Sequence, residues 1–299
     1  MGVNITPLHG GTLGDVKLIE GKFVKKTQKK WERHGDPLSW RREYDLYKSE
    51  LGSVFTDALR WPECFFAEDR GEEIELWLEY IDGVSGTDLT VAMMEEAALE
   101  LGWLQGRLYV EKPAFLQNLN LSKTEYMKNF YHHYRSWDVV HNAVRSDESE
   151  LPKHLCQMLI NIDENEAEVF NRVEQLPIVL CHRDFWVTNI FHTENGIRLI
   201  DWDTAGWGYL GEDMASLITD EADVEHMAEV TLRCVPAYHK GFSETSGLPP
   251  VKDHCVTELI LLMFGYRLVE WVLHAKTPEE KKLHLDTLQK IYEIKEAGL

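Results

Sequence analysis

The chain has 299 residues, of which 44% are hydrophobic and 27% charged, enough for two lobes with separate apolar cores. No apolar run approaches the ~20 residues that a membrane-spanning helix needs, which excludes a membrane partner of that kind. Thirty-one Lys and Arg face fifty-one Asp and Glu, and the net charge of −20 argues against a nucleic-acid partner.

The charge is unevenly spread. Residues 1–48 carry ten basic and six acidic side chains, net +4, which leaves −24 for the remainder. A basic first part tolerates phosphates, and an acidic second part attracts a cation. Five scattered cysteines without a Cys-x-x-Cys pair point to free thiols and no zinc site. With no basic-then-apolar leader, the expected location is cytoplasmic.

In chain order, LHGGTLGDVKLIEGKFVKKT predicts a hairpin turning at Glu20-Gly21-Lys22. Its glycines let backbone N–H groups approach a triphosphate without interference from Cβ atoms. Gly11, Gly14 and Val16 match the frame G-x-G-x-x-G-x-V, with His9 in place of the first glycine. The second strand, Phe23 to Thr27, offers two lysines for phosphate contact. Alternation puts Lys25 on the face of Phe23 and Lys26 on the face of Val24. Lys25 is favoured because Phe23 then stacks on adenine, and Lys26 stays open as the alternative. The helix SWRREYDLYKSEL supplies Glu43 as partner for the lysine. The run IELWLEYIDGVSG predicts a buried strand ending at Asp82-Gly83, with a domain boundary between residues 82 and 83. In a two-lobed kinase this position is the connector whose backbone reads the adenine edge, which would make the Glu79 carbonyl and the Ile81 N–H and carbonyl the contacts.

Beyond the boundary, apolar residues at helical spacing predict a helix over 89–111. An aromatic, histidine-rich amphipathic stretch follows over 122–142. Its His132, His133 and His141 have the wrong spacing for metal ligation. Another helix is expected over 154–175, a mostly buried one over 256–274, and a last one capped by Thr277-Pro278-Glu279-Glu280.

Between them lies CHRDFWVTNIFHTENGIRLIDWD. His182, Asp184 and Asn189 stand in an H-x-D-x-x-x-x-N frame, and Asp201 follows twelve residues after the Asn. Phosphoryl transfer needs this set: one carboxylate to orient a hydroxyl, then an amide oxygen and a second carboxylate for Mg²⁺. Asn195-Gly196 predicts a tight hairpin that returns Asp201 to Asn189.

Through HRDFWVTN, LIDWD and GWGYLGEDMASL the chain resembles the aminoglycoside phosphotransferase/choline kinase family. The resemblance implies an α+β, two-lobed, protein-kinase-like fold, with a small antiparallel-sheet lobe over 1–82 and a larger, mainly helical lobe over 83–299. It also implies ATP or GTP and Mg²⁺ as cofactors, Asp184 as catalytic base, and Asn189 and Asp201 as metal ligands. Asp203 stands where the family often has a second acid, and Asp213 at its structural helix start. The expected acceptor is a small cationic hydroxyl compound, an amino sugar first, then choline-like or sugar metabolites. Trp207, Asp220, Glu221, Glu270 and Trp271 are the acceptor-binding candidates. Arg183, where small-molecule members have Gly, keeps a protein acceptor open. The eleven residues between Asp201 and Asp213 are too few for a long regulated loop and argue against it. A non-catalytic nucleotide-binding protein of the same fold is the remaining alternative.

Overall fold

The computed structural model describes residues 4–8, 14–220, 223–250 and 254–299, so Gly11 and Glu221 lie outside the described residues. The N-terminal sheet comprises β1 (Ile5–Pro7), β2 (Gly14–Ile19), β3 (Phe23–Lys29), β5 (Cys64–Asp69) and β6 (Glu73–Glu79). Their order is β1-β2-β3-β6-β5, and every neighbouring pair is antiparallel. Glu20 and Gly21 both take positive φ, 54° and 65°, and so close the β2–β3 hairpin with the handedness that twisted strands favour. Helix α1 (Ser39–Tyr47) packs against this sheet with Trp40 and Leu46 buried.

A second, three-stranded sheet ties the two parts of the chain together. Strand β4 (Leu59–Arg60) runs parallel to β9 (Gly196–Leu199), which pairs antiparallel with β8 (Ile190–Thr193). The connecting turn is Glu194-Asn195, one residue earlier than expected, because Gly196 already pairs with Thr193. Gly196 serves a different need: a Cβ there would sit 2.6 Å from the Ala58 carbonyl oxygen. The close approach of the segment before β4 therefore depends on this glycine. Strand β7 (Ile178–Cys181) pairs with β10 (Gly206–Tyr209) in a separate ribbon.

The rest is helical: α2 (Val91–Glu111), α3 (Glu125–Arg135), α4 (Asp138–Arg145), α5 (Lys153–Glu164), α6 (Glu166–Val173), α7 (Glu212–Thr219), α8 (Met227–Ser246), α9 (His254–Ile260), α10 (Tyr266–His274) and α11 (Pro278–Ala297). The stretch read as a single helix over 154–175 is broken in two, and the amphipathic stretch over 122–142 holds α3 and α4. At Asn165 the side chain donates to the Asn161 carbonyl at 2.8 Å, a local bond that competes with helix continuation. A π-helical turn, Leu261–Gly265, joins α9 to α10. Among the described residues no helix is long and apolar enough to cross a membrane.

Helices α2 and α8 form the centre of the larger part. They meet through glycines: a Cβ on Gly102 would lie 2.2 Å from the Tyr238 oxygen, and one on Gly241 2.3 Å from the Leu99 oxygen. The contacts are with backbone, which cannot rotate away. This crossing also carries Gln105 of α2 to the site described next. Gly102→Ala is expected to lower stability by about 1–3 kcal/mol by overpacking, measured by urea denaturation. An unchanged midpoint would show that the helices separate without cost.

Candidate active site

Strand β7 delivers His182, Arg183 and Asp184 into the cleft between the sheet and the helices. Asp213, in the first turn of α7, holds this segment from behind. Its Oδ1 accepts from the Arg183 N–H at 2.7 Å, and its Oδ2 from the His182 N–H at 3.2 Å. Gln105 donates to the same Oδ2 at 2.7 Å and to the Leu180 carbonyl at 2.9 Å. Burial pushes the Asp213 carboxyl up to about 6, against the pull of those two N–H groups. Burial likewise pushes His182 down to about 4, so its ring is neutral near pH 7. Its Nε2 lies 2.9 Å from the Ile200 carbonyl, which only accepts, so that nitrogen carries the proton.

Two residues of this region adopt left-handed backbone, Arg183 (φ 66°) and Asp201 (φ 63°), which costs free energy for any side chain beyond glycine. Arg183 is fixed by its own side chain. Its Nε donates to Glu212 at 3.0 Å and its Nη2 to the carbonyls of Trp207 at 2.6 Å and Lys123 at 3.1 Å. Its Nη1 donates to Ser122, and its guanidinium lies 5.1 Å from the centre of the Tyr126 ring. Buried and fully engaged, Arg183 is part of the loop's framework, and the reason for keeping a protein acceptor open falls away.

Asn189 donates its amide to the Asp184 carboxylate at 2.8 Å and to the Asp184 carbonyl at 2.9 Å, which leaves its amide oxygen for another partner. Burial raises the Asp184 carboxyl to about 8, helped by the negative charges of Asp201, Asp220 and Asp203. Asp201 and Glu43 each place an oxygen 2.6 Å from Lys26 Nζ. Burial opposes the lysine's charge, yet the two carboxylates outweigh it and hold the ammonium protonated. Asp201 is correspondingly held below the usual carboxylate range, its burial overcome by Lys26. Asp203 is pushed up to about 6 by burial and by Asp201, with Arg33 opposing from 3.2 Å. Arg42, fully buried, clasps Asp36 with two nitrogens at 2.7 and 2.6 Å and reaches the Asp203 carbonyl at 2.7 Å.

The preference for Lys25 is corrected. Lys25 turns to the other face of β3, 3.0 Å from Glu75 and 5.7 Å from the centre of the Trp77 ring. Phe23 shares that face and packs on Phe65 at 5.3 Å, away from Lys26. Strand alternation holds as expected, but the cleft lies on the face of Val24 and Lys26. Gly14 begins β2, where a Cβ would sit 2.9 Å from the Thr27 oxygen. Glu79 ends β6, its side chain 3.6 Å from Arg60. Neither the N–H nor the carbonyl of Ile81 finds a hydrogen-bond partner among the described residues, which leaves both free for a ligand edge.

Beside Asp184 opens a cavity of about 300 Å³. Asp220 lines it, whereas Trp207, Glu270 and Trp271 do not. Trp207 sits in β10, Glu270 holds His274 at 3.1 Å, and Trp271 stacks on Arg267 at 4.4 Å. The walls include Tyr126, Phe130, Tyr134 and Phe264. Three guanidiniums (Arg33, Arg183, Arg267) and three carboxylates (Asp184, Glu212, Asp220) line it. Arg33 and Arg267 were missed in the sequence. The legible signal was a lone arginine inside the apolar helix over 256–274.

Arg183→Gly relieves the left-handed backbone but leaves Glu212, 1% exposed, buried without its ion partner. The expected result is a net loss of about 3–5 kcal/mol, partly recovered by adding Glu212→Gln, both measured by chemical denaturation. A gain in stability would show that strain outweighs the pair.

The phosphotransferase enzyme family matches residues 61–248 of the chain. Among solved structures, the GDP complex of aminoglycoside 2'-phosphotransferase-IIIa is 15% identical with a TM-score of 0.64, covering 98% of this chain and 93% of that one. Choline kinase from Cryptosporidium parvum Iowa II is 15% identical with a TM-score of 0.65, covering 99% and 91%. An aminoglycoside phosphotransferase from Alicyclobacillus acidocaldarius is 15% identical with a TM-score of 0.61, covering 98% and 90%. No curated protein sequence matches the chain. At such identities the structural likeness establishes the protein-kinase-like fold, and the match over 61–248 establishes the family. The chain belongs to the phosphotransferase enzyme family and is a phosphotransferase acting on hydroxyl groups.

Proposed function

We propose that the protein transfers the γ-phosphoryl group of ATP or GTP, with Mg²⁺, to a hydroxyl of a small molecule held in the cavity beside Asp184. The observation that carries this reading is a pair of polar groups close enough for the Asp201 charge to act on Asp184. Glu43 and Asp201 hold Lys26, and Asn189 holds Asp184 at the cavity wall. In this reading Lys26 meets the nucleotide phosphates, and the free backbone groups of Ile81, with the Glu79 carbonyl, meet the adenine or guanine edge. Residues up to 82 then form the nucleotide lobe and residues 83–299 the acceptor lobe. Related structures hold GDP in one case and AMP-PNP with hygromycin B in another, which supports a nucleotide and a small acceptor here. The five free cysteines support a reducing, cytoplasmic location.

The donor set fits magnesium. Asp201 offers a charged oxygen, and Asn189, its amide nitrogen spent on Asp184, offers a neutral one. Among the described residues no cluster of three or more His, Cys, Asp or Glu is placed to hold a metal unaided. That agrees with a cation bound by one or two protein oxygens and completed by nucleotide phosphates and water. Bound there, Mg²⁺ neutralises phosphate charge.

Asp184 accepts the hydrogen bond of the acceptor hydroxyl and orients it for attack. Kanamycin, bound with GDP in one related complex, makes amino sugars the first compounds to screen. The balanced charge of the cavity supports a small acceptor without requiring a cationic one.

Asp184→Ala is expected to lower turnover by about 10²–10⁴-fold while MgATP still raises the melting temperature. Nucleoside diphosphate release and thermal shift measure the two effects, and full turnover in this variant would refute the assignment. Lys26→Ala is expected to raise the nucleotide KM at least tenfold (roughly the worth of one charged hydrogen bond), whereas Lys25→Ala leaves it unchanged. The reverse pattern would return the phosphate contact to Lys25. Removing magnesium with EDTA, or Asp201→Ala, should abolish the nucleotide-induced thermal shift, and a shift that persists would count against the metal role.

A further inference from the structure

The three guanidiniums of the cavity are not equally committed. Arg183 is bound to Glu212 and to two carbonyls, and Arg33 donates to Asp203. Arg267 donates no hydrogen bond to any described residue, and its Nε is buried without a partner. It is held by stacking instead, with its guanidinium 4.4 Å from the Trp271 ring centre, 5.5 Å from Phe264 and 5.7 Å from Phe130. Stacking covers the faces of the guanidinium and leaves its edge donors unused. The π-helical turn Leu261–Gly265 places Phe264 in the cavity wall, and Arg267 follows three residues later.

Across from it lies Asp220, at the C-terminal end of α7, with its side chain 13% exposed. Its Oδ2 is 3.8 Å from Arg267 Nη1, beyond hydrogen-bond reach, and its carboxylate accepts no hydrogen bond from the described residues. A charged donor and a charged acceptor thus stand at the cavity wall as a loose ion pair, with neither making a hydrogen bond to the described residues. Leaving such groups without hydrogen bonds is costly, and a ligand that satisfies both recovers that cost.

Resting on the phosphotransferase reading, we infer that the acceptor is a hydroxy compound bearing one anionic oxygen group, a carboxylate or a phosphate, gripped at its edge by Arg267. Asp220 takes a hydrogen-bond donor on the same molecule. The rings of Phe130 and Tyr134 cover its apolar part. Planar guanidinium edges match the two oxygens of such a group.

The test is calorimetric binding to the full chain in the presence of Mg²⁺ and AMP-PNP. The probes are 3-phenyllactate and β-glycerophosphate, their uncharged counterparts phenyllactate methyl ester and glycerol, and kanamycin. The inference expects at least one acid to bind roughly tenfold or more tightly than its uncharged counterpart, the worth of one charged hydrogen bond. It also expects Arg267→Gln to erase that difference and Arg267→Lys to restore part of it. Equal binding of acid and counterpart, tighter binding of kanamycin than of either acid, no binding of the acids, or an unaltered preference in Arg267→Gln would each overturn it. If Arg267→Gln does not fold, the comparison of acid with counterpart on the wild-type chain decides alone. Separate MgATP titration of the wild type keeps the two readings apart. Nucleotide binding without acid preference sinks this inference only, whereas failure to bind nucleotide sinks the phosphotransfer assignment and this inference with it.

Discussion

One buried carboxylate organises the site. Asp213 takes the backbone N–H groups of His182 and Arg183 on its two oxygens, and Gln105 shares one of them. A carboxylate removed from water is tolerable only when its oxygens are occupied by donors. Here the donors are the loop itself, so satisfying Asp213 fixes the backbone one residue before Asp184. Gln105 links that bond to α2, and the glycine-mediated crossing of α2 with α8 fixes α2 in turn. The loop's position is therefore set by helix packing some distance from the cleft.

The second organising interaction is the ammonium of Lys26 between Glu43 and Asp201. It joins strand β3 and helix α1 of the first part to the strand-end acid of the second. Like-charged carboxylates would otherwise repel across the cleft: burial raises the Asp184 and Asp203 carboxyls, and the neighbouring Asp201 charge adds to it. A single buried cation between two acids holds them together, and the β4–β9 pairing provides the mechanical counterpart. The left-handed backbone at Arg183 and Asp201 is sustained by these contacts: Arg183 by its fan of hydrogen bonds, Asp201 by its lysine.

Much of this was legible because the relevant signals are local. Spacing alone grouped Asp184, Asn189 and Asp201, since a short hairpin must return the chain to its start. Periodicity announced the main helices, and the turn at Glu20-Gly21 was read from its glycine. The break at Asn165 was not legible, because a side chain bonding its own helix leaves the apolar period intact on both sides. Gly196 was read as a turn former, while its decisive contact is with Ala58, far away in sequence.

The sequence by itself determined the ordered acidic motif, which follows from residue type and spacing along one segment, and its resemblance to a known family implied the fold class. Only the tertiary structure decided which face of β3 looks into the cleft, and with it that Lys26, not Lys25, stands between Glu43 and Asp201. It alone showed that Arg183 is committed to Glu212, and that Arg267 stacks on aromatic rings and stands 3.8 Å from Asp220 without a hydrogen bond to the described residues. A net charge of −20 says nothing about a cavity whose walls come from α3, α7 and the π-helical turn. Local charge balance depends on which side chains those elements bring together, and that is a property of packing.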